Sequence, residues 1–305
     1  MITTPYSQIV QVEQIASHTS TENIAEIIAL AQAEQLTPAS QARRRTLLPA
    51  IDVQNDFMEG IGTLPVSGSK GDVERLTQWI YRNTAKLTQV MCSLDCHSVH
   101  QIFHASWWVD ASGNQPSPFT IITHQDLLDG KWIAADGTQA HSLDYLKALE
   151  KGGNKQLCIW PYHCLEGTKG SKLESEFTKI VYYHATARKV TPQFIYKGQN
   201  PITEMYGIIK AEYAGDNYIN QPILDAIEAY DEIYIAGEAS SHCVLASVSQ
   251  IAEYFKENRE ITARITLLTD CMSPIASFEE STHQAFQALS KQYGIQLKTS
   301  SQVTL

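Results

Sequence analysis

The stretch "YIAGEASSHCVLASV" (residues 234–248) passes from an apolar, strand-like run through small and polar residues into a helix-like pattern. A buried strand that leads directly into an amphipathic helix is typical of a parallel α/β unit. The break between the two contains Cys243, which would lie at the N-terminus of its own helix. Because a helix N-terminus lowers the pKa of a thiol, the break is a candidate site for a cysteine nucleophile. The alternative is a packed thiol that behaves as a small apolar residue.

The composition is typical of a globular protein and excludes several classes of function. Of the 305 residues, 43% are hydrophobic and 18% are charged, which suffices for one large core or two smaller ones. The net charge of −10, with no basic run beyond "ARRRT" (residues 42–46), argues against nucleic-acid binding. The sequence has neither the roughly 20 apolar residues of a membrane span nor a secretory signal. Six cysteines are too few for a disulfide scaffold, so we expect a cytoplasmic protein with reduced thiols.

The strand–helix alternation continues along most of the chain. It predicts a three-layer α/β sandwich, in which helices cover both faces of a central, mainly parallel, six-stranded sheet. The predicted strands are 46–55, 89–95, 156–160, 193–197, 232–237 and 264–270. The helical patterns cover 72–87, 172–187, 221–230, 243–258 and 277–293.

Two segments lie outside this alternation. Residues 1–45 form an N-terminal extension with a predicted helix over 21–36, and they precede a domain over residues 46–305. Residues 105–155 separate two predicted strands and are too long for a structureless loop, so we expect an inserted subdomain or lid. In such a lid Trp107 and Trp108 would face the site. Alternatively, the two tryptophans would form a hydrophobic anchor beneath the lid.

Polar residues follow the predicted strands at their carboxyl ends, where open parallel sheets bind ligands. Each has a simple structural alternative, because Asp52 could form a turn, Lys197 could be a solvated charge and Cys243 could be a packed thiol. In combination, however, these residues could form a nucleophilic site. Lys197 would supply a cation and Asp52 would accept the proton of the thiol.

A second group of residues could bind a metal. Asp95 and His97 are two positions apart, which directs both side chains to the same side of an extended chain. His100, His104 and His163 could complete a site for zinc, iron or manganese. The nearby cysteines lack the CxxC spacing of a thiolate zinc site, which disfavours that alternative.

Five motifs together resemble the nicotinamidases, which are members of the isochorismatase-like cysteine hydrolase superfamily. The resemblance covers roughly residues 46–298, and the motifs occur in the order seen in that family. They are "AIDVQNDF" (50–57), "LDCH" (94–97), "WPYHCLEGTKG" (160–170), "YKG" (196–198) and "GEASSHCV" (237–244).

The resemblance implies specific roles for residues of this sequence. Asp52, Lys197 and Cys243 match the catalytic triad. The bond between Glu238 and Ala239 matches a cis peptide, which helps to direct the amides of Ala239 and Cys243 into an oxyanion hole.

The resemblance also implies one divalent transition metal ion, zinc in the first place with iron or manganese as alternatives. Asp95, His97 and His163 match the metal ligands, and His104 is the further histidine, with His100 as its competitor. Aromatic residues of the family that flank the nicotinamide ring match Phe57 and Trp160.

The implied reaction is the hydrolysis of nicotinamide to nicotinate and ammonia through a Cys243 thioester, as in NAD salvage, by a homo-oligomer. Three alternatives are a related hydrolase of another small carboxamide or carbamoyl compound, a vinyl-ether hydrolase, and a catalytically silent binding protein. The vinyl-ether branch generally lacks the metal ligands that this sequence carries. Glu238, Ser240, the segment after Lys197 and the long insert depart from the family pattern, so the substrate is less certain than the chemistry.

Overall fold

The computed structural model describes residues 2–151, 156–213 and 218–305. Within these ranges a central sheet contains six strands in the order β10-β9-β8-β1-β2-β7, and every neighbouring pair is parallel. Four further strands form two small antiparallel pairs, β3 with β5 and β4 with β6. The strands are β1 (Thr46–Ile51), β2 (Gln89–Asp95), β3 (Trp108–Val109), β4 (Ile121–Ile122), β5 (Ile133–Ala134), β6 (Leu157–Cys158), β7 (Gln193–Lys197), β8 (Glu232–Gly237), β9 (Ile265–Leu268) and β10 (Gln296–Lys298).

Helices connect the strands and cover both faces of the sheet, as predicted. The five helical patterns of the sequence correspond to α3, α6, α7, α8 and α10, with small shifts at their ends. The α-helices of the described residues are α1 (Tyr6–Ile9), α2 (Ile24–Gln32), α3 (Ser69–Asn83), α4 (His124–Leu128), α5 (Gln139–Lys151), α6 (Ser175–Arg188), α7 (Gln221–Ala229), α8 (Leu245–Tyr254), α9 (Arg259–Thr262) and α10 (Glu279–Tyr293). No helix in this part of the chain is long and apolar enough to cross a membrane.

The sheet separates two hydrophobic cores. Successive side chains of a strand point to opposite faces, and in β1 Leu48 and Ala50 join one core while Leu47 and Ile51 join the other. Helices α2, α3 and α6 pack into the first core, and α7, α8 and α10 pack into the second. The near-continuous apolar runs of the sequence are therefore explained by burial on both faces.

The strand order reverses between β1 and β8. The chain proceeds outward from β1 through β2 to β7, and it then returns to the other side of β1 with β8. Such a reversal opens a crevice at the carboxyl ends of the two strands. The motifs after β1 and β8 both reach this crevice.

One predicted strand is wrong. Residues 156–160 were expected in the central sheet, but β6 is only two residues long and pairs antiparallel with β4 of the insert. The sixth strand of the sheet is instead β10, which pairs with β9. The apolar run was misassigned because its side chains are buried by the insert, and burial alone does not say which strand is the partner.

The N-terminal segment packs on the first core. Ile9, Ile15 and Ile27 are buried there, and the backbone amides of Thr3 and Thr4 donate hydrogen bonds to the Glu34 carboxylate. The predicted helix is present as α2, which is shorter than the pattern suggested. The division into an extension and a hydrolase domain remains a prediction.

Candidate active site

Four neighbouring strands deliver polar side chains to one edge of the sheet. Asp52 follows β1, Asp95 ends β2 and Lys197 ends β7, with Asp95 and Lys197 directly opposite each other in the register. The turn that carries Cys243 follows β8, whose last residue pairs with Ile51 of β1. The sequence-predicted residues at these strand ends are therefore brought together.

Lys197 is the centre of this cluster. Its Nζ lies 2.8 Å from Oδ2 of Asp52, 2.5 Å from Oδ1 of Asp95 and 3.6 Å from Sγ of Cys243. All four side chains are buried, and Oδ2 of Asp52 has no hydrogen-bond partner of suitable angle in the described residues. The carboxylate oxygens and the Cys243 sulfur lie within 4.8 Å of one another, and the Lys197 ammonium group contacts all three side chains.

The electrostatics of the cluster follow from burial and from its single cation. Burial alone would lower the pKa of Lys197, but the charges of Asp52 and Asp95 raise it well above its ordinary value, so the ammonium group stays protonated. Burial raises the pKa of Asp52 and that of the Cys243 thiol. In the resting site the sulfur is thus a thiol beside a carboxylate of increased basicity.

Asp52 is held by its backbone as well as by Lys197. Its φ of 46° lies in the left-handed region, which aspartate tolerates better than most residues. The Ser93 hydroxyl donates a hydrogen bond to Oδ1 of Asp52 at 2.6 Å, and the Asp52 amide donates to the Ser93 carbonyl at 3.2 Å. Sequence reasoning missed Ser93, because it lies inside a buried strand and no motif marks it.

The turn after β8 has the geometry expected from the resemblance. The peptide bond between Glu238 and Ala239 is cis, as predicted, and Ser240–Val244 form a π-helical turn that leads into α8. Ala239 and Cys243 both line the adjoining cavity. A Cβ atom at Gly237, whose φ is +119°, would lie 2.0 Å from the Ile51 carbonyl oxygen, so only glycine permits this close approach to β1.

Glu238 points away from the cavity, although it departs from the family pattern. Its Oε2 accepts a hydrogen bond from the Ser273 amide at 3.3 Å, and burial together with Asp72 raises its pKa well above the ordinary value. The acidic side chain therefore does not shape the substrate pocket.

Beside the triad, three side chains could hold a metal ion. The donor atoms of Asp95, His97 and His163 lie within 4.8 Å of one another and are buried. Nδ1 of His97 lies 3.0 Å from the Gly198 carbonyl, and Nδ1 of His163 lies 2.7 Å from the Pro161 carbonyl. Since a carbonyl only accepts, each Nδ1 carries the proton and each Nε2 presents a lone pair.

The structure separates the two candidates for a further histidine ligand. Nε2 of His104 is buried and has no hydrogen-bond partner among the described residues. The His104 ring centroid lies 6.1 Å from that of His97 and 6.0 Å from that of His163. His100 is instead half-exposed, stacks on Trp107 and places Nε2 3.1 Å from Asp136. The unpartnered nitrogen beside the two other histidines is what a metal ligand requires. His104 is therefore the better candidate than His100, and it lies outside the group of Asp95, His97 and His163 whose donor atoms are all within 4.8 Å of one another.

Burial keeps His104 and His163 neutral. It lowers the pKa of His104 to about 4 and that of His163 to about 3. Neutral imidazole is the form that binds metal ions. The donor set of one carboxylate and three imidazoles suits zinc, iron or manganese.

Known proteins with similar sequences and structures include nicotinamidases. The nicotinamidase of Saccharomyces cerevisiae is 22% identical over 248 residues, covering 80% of this chain and 95% of that protein. The structure of the yeast nicotinamidase bound to the inhibitor nicotinaldehyde matches with a TM-score of 0.59 and 18% identity over 83% of this chain and 99% of the yeast chain. A nicotinamidase/pyrazinamidase of Acinetobacter baumanii matches with a TM-score of 0.58 and 18% identity over 86% of this chain and 99% of that one. No protein-family model matches.

The fold is that of the nicotinamidases. The comparisons confirm the resemblance that the motifs indicated, as well as the three-layer α/β class. At such low identity the structural similarity establishes the nicotinamidase fold alone. The activity must therefore be argued from the residues of the site.

A cavity adjoins the triad and the metal-ligand candidates. Its lining includes Phe57 and Trp160, the two aromatic residues expected to flank a ring. The edge of Phe57 meets His163 at a centroid distance of 5.7 Å, and Trp160 meets His242, next to the nucleophile, at 5.5 Å. The cavity is thus an aromatic pocket beside the nucleophile.

Sequence reasoning missed part of the cavity wall. Glu204 and Tyr206 line it together with Trp160, and both come from the segment after Lys197 that departs from the family pattern. Nothing in the local sequence distinguishes Glu204 from a surface carboxylate. The departure of this segment from the nicotinamidase pattern was the one available signal.

The two tryptophans of the insert do not face the site as a lid would require. Trp107 and Trp108 are buried, and they donate hydrogen bonds to the Ser142 hydroxyl and the Ile102 carbonyl rather than facing the cavity. None of the described residues of the insert lines the cavity; residues 152–155 lie outside the described ranges. The two tryptophans are therefore anchors, because their large apolar rings fill the space beneath the insert.

Proposed function

We propose that the protein is a metal-assisted cysteine amidohydrolase that acts on nicotinamide or a closely similar aromatic carboxamide. The observation that carries the proposal is the contact of one ammonium group, that of Lys197, with Asp52, Asp95 and Cys243 at the cavity. A buried thiol between a protonated lysine and a carboxylate is an arrangement for nucleophilic catalysis. The nicotinamidase fold and the aromatic cavity support a carboxamide of a flat ring as the substrate.

In the first half of the reaction Asp52 accepts the proton of the Cys243 thiol, and the sulfur attacks the carbonyl carbon of the carboxamide. The amides of Ala239 and Cys243 stabilise the negative oxygen that forms. Asp52 then donates its proton to the amino group, the C–N bond breaks, and ammonia leaves a thioester on Cys243.

In the second half Asp52 removes a proton from water, which attacks the thioester carbon. The C–S bond breaks, the carboxylic acid is released, and the sulfur regains a proton from Asp52. Lys197 keeps its own proton throughout, because its pKa stays well above the ordinary value. It stabilises the thiolate and the Asp52 carboxylate by charge.

Asp95, His97, His163 and His104 would hold the metal ion. A bound divalent metal would supply Lewis-acid chemistry, which orients a ring nitrogen or a water molecule. The protein keeps the ligand nitrogens available by fixing each Nδ1 proton on a backbone carbonyl.

The proposal is tested by ammonia release from nicotinamide, pyrazinamide, benzamide and a small carbamoyl compound, measured with purified, metal-loaded protein. We expect nicotinamide or pyrazinamide to be hydrolysed with the highest kcat/KM. Hydrolysis of the carbamoyl compound alone would replace the proposal with that of a related hydrolase. If a metal-loaded, folded protein releases no ammonia from any of the four, the proposal is wrong.

Replacing His104 with alanine is expected to lower the metal affinity by about 10- to 100-fold, because one imidazole ligand is lost. His100→Ala is the matched control, since His100 pairs with Asp136 outside the site and should leave the affinity unchanged. The zinc affinity of each variant is measured from its metal content after dialysis against a series of buffered zinc concentrations. Equal affinities for the two variants would remove His104 from the ligand set.

A further inference from the structure

The wall of the cavity contains a carboxyl group that the reaction above does not use. Oε1 of Glu204 accepts hydrogen bonds from the Tyr206 hydroxyl at 2.5 Å and from Nε1 of Trp160 at 3.4 Å. Oε2 accepts one from the Tyr145 hydroxyl at 2.9 Å. Glu204 is buried and, with Trp160 and Tyr206, forms one wall of the cavity.

The hydrogen bonds of Glu204 leave part of its accepting capacity unused. A carboxylate has about four acceptor positions, and within the described ranges its donors are two hydroxyls and one distant indole N–H. All three donors are neutral, and Glu212 adds a further negative charge nearby. Burial raises the pKa of Glu204 to about 7, and within the described ranges the carboxyl group forms no ion pair.

The surroundings of this group favour a ligand that brings an N–H donor. Trp160 and Tyr206 present aromatic rings, and both rings approach His242 at 5.5 and 5.7 Å beside the nucleophile. Aromatic faces together with a carboxylate are complementary to a flat ring that carries an amino or protonated nitrogen. A purely apolar substrate would leave the buried carboxyl group uncompensated, which costs free energy.

We propose that Glu204 accepts a hydrogen bond from an N–H group on the ring of the substrate, so that the preferred substrates are aromatic carboxamides with a ring amino substituent. The inference rests on the proposed carboxamide hydrolysis and specifies its substrate class. The inference also gives the insert a role. The hydroxyl of Tyr145, on α5 of the insert, donates a hydrogen bond to Glu204 and holds its side chain in position.

The first experiment uses the unmodified, metal-loaded protein. The probes are nicotinamides with an amino group on different ring carbons, each paired with the derivative that carries a methyl group at the same carbon. The two substituents have similar size, so the difference in kcat/KM between the two compounds measures the effect of the hydrogen bond. For at least one position we expect kcat/KM of the amino compound to exceed that of its methyl partner by roughly tenfold or more. No preference at any position would overturn the proposal.

The second experiment assigns the preference to Glu204. Glu204→Gln keeps the size and an acceptor oxygen but removes the charge, and we expect the preference to fall toward unity. Glu212→Gln is the control, because it removes a neighbouring charge from a residue that does not line the cavity. A preference that survives in Glu204→Gln would exclude Glu204 as its source. If Glu204→Gln does not fold, the paired probes on the unmodified protein still decide the substrate class.

The same probes distinguish the inference from the proposed function. If no carboxamide is hydrolysed, the proposed function fails, and titration calorimetry of each amino and methyl pair with the unmodified protein then tests Glu204. Tighter binding of an amino compound by roughly tenfold supports the N–H subsite independently of turnover. Equal binding of all pairs contradicts it.

Discussion

Replacing Cys243 with alanine is expected to lower kcat for carboxamide hydrolysis by about four orders of magnitude or more, because no thioester can form. The fold should persist, since alanine fits the same turn and the lost thiol faces the cavity. We expect the free energy of unfolding to change by at most about 1–2 kcal/mol. Ammonia release and urea denaturation measure the two quantities.

Cys271→Ala is the matched control for this variant. Cys271 is another buried cysteine, and its backbone carbonyl accepts a hydrogen bond from the Gly237 amide, close to the same turn. Loss of its thiol should leave kcat within about a factor of two to three, because the side chain lies outside the cavity lining. Near-normal turnover by a folded Cys243→Ala variant would contradict the assignment of the nucleophile.

Replacing Lys197 with methionine is expected to lower the free energy of unfolding by about 3–5 kcal/mol. The side chain is buried, and its removal leaves the carboxylates of Asp52 and Asp95 without the ammonium group that both contact. Urea denaturation of the metal-free protein, in the presence of a chelator, measures the effect without compensation by a bound metal. Turnover should be lost as well, because the thiolate is no longer stabilised.

The double variant Lys197→Met with Asp52→Asn tests the cause of this destabilisation. Asparagine removes one of the two unpaired buried charges, so the double variant should recover at least about 1 kcal/mol relative to Lys197→Met alone. The hydrogen bond from Ser93 to Oδ1 can still be accepted by the asparagine oxygen. A double variant no more stable than the single one would show that the charge of Lys197 does not hold the two carboxylates.

Much of the sheet was predictable because its strands are buried on both faces and therefore appear as apolar runs. The ends of β1, β2, β7 and β8 were predicted with their polar residues, and parallel strands bring such ends to one edge. The prediction that residues 156–160 belong to the central sheet was wrong for the same reason. An apolar run indicates that a strand is buried, but it does not indicate which strand it pairs with. β10 was missed because it is only three residues long and partly exposed.

The site was predictable where a residue belongs to a motif or follows a strand, as Asp52, Asp95 and Lys197 do. It was not predictable where a contact joins distant segments without a local pattern. Glu204 comes from an unusual segment after β7, and its partner Tyr145 lies 59 residues earlier on a helix of the insert. Likewise, the sequence named His104 as the further ligand with His100 as its competitor, and the structure separates them by the surroundings of their side chains.

The sequence by itself determined the α/β class, the strand ends that carry charge and the nucleophile candidate, because local periodicity dictates which residues are buried and where each strand stops. The tertiary structure alone decided which carboxylates share the Lys197 ammonium group, which histidine nitrogen lacks a partner in the described residues, and that Glu204 lines the cavity. Asp95 and Lys197 are 102 residues apart and meet only through the pairing of β2 with β7. Strand pairing and the packing of the insert depend on contacts summed over the whole chain, and a local pattern does not contain them.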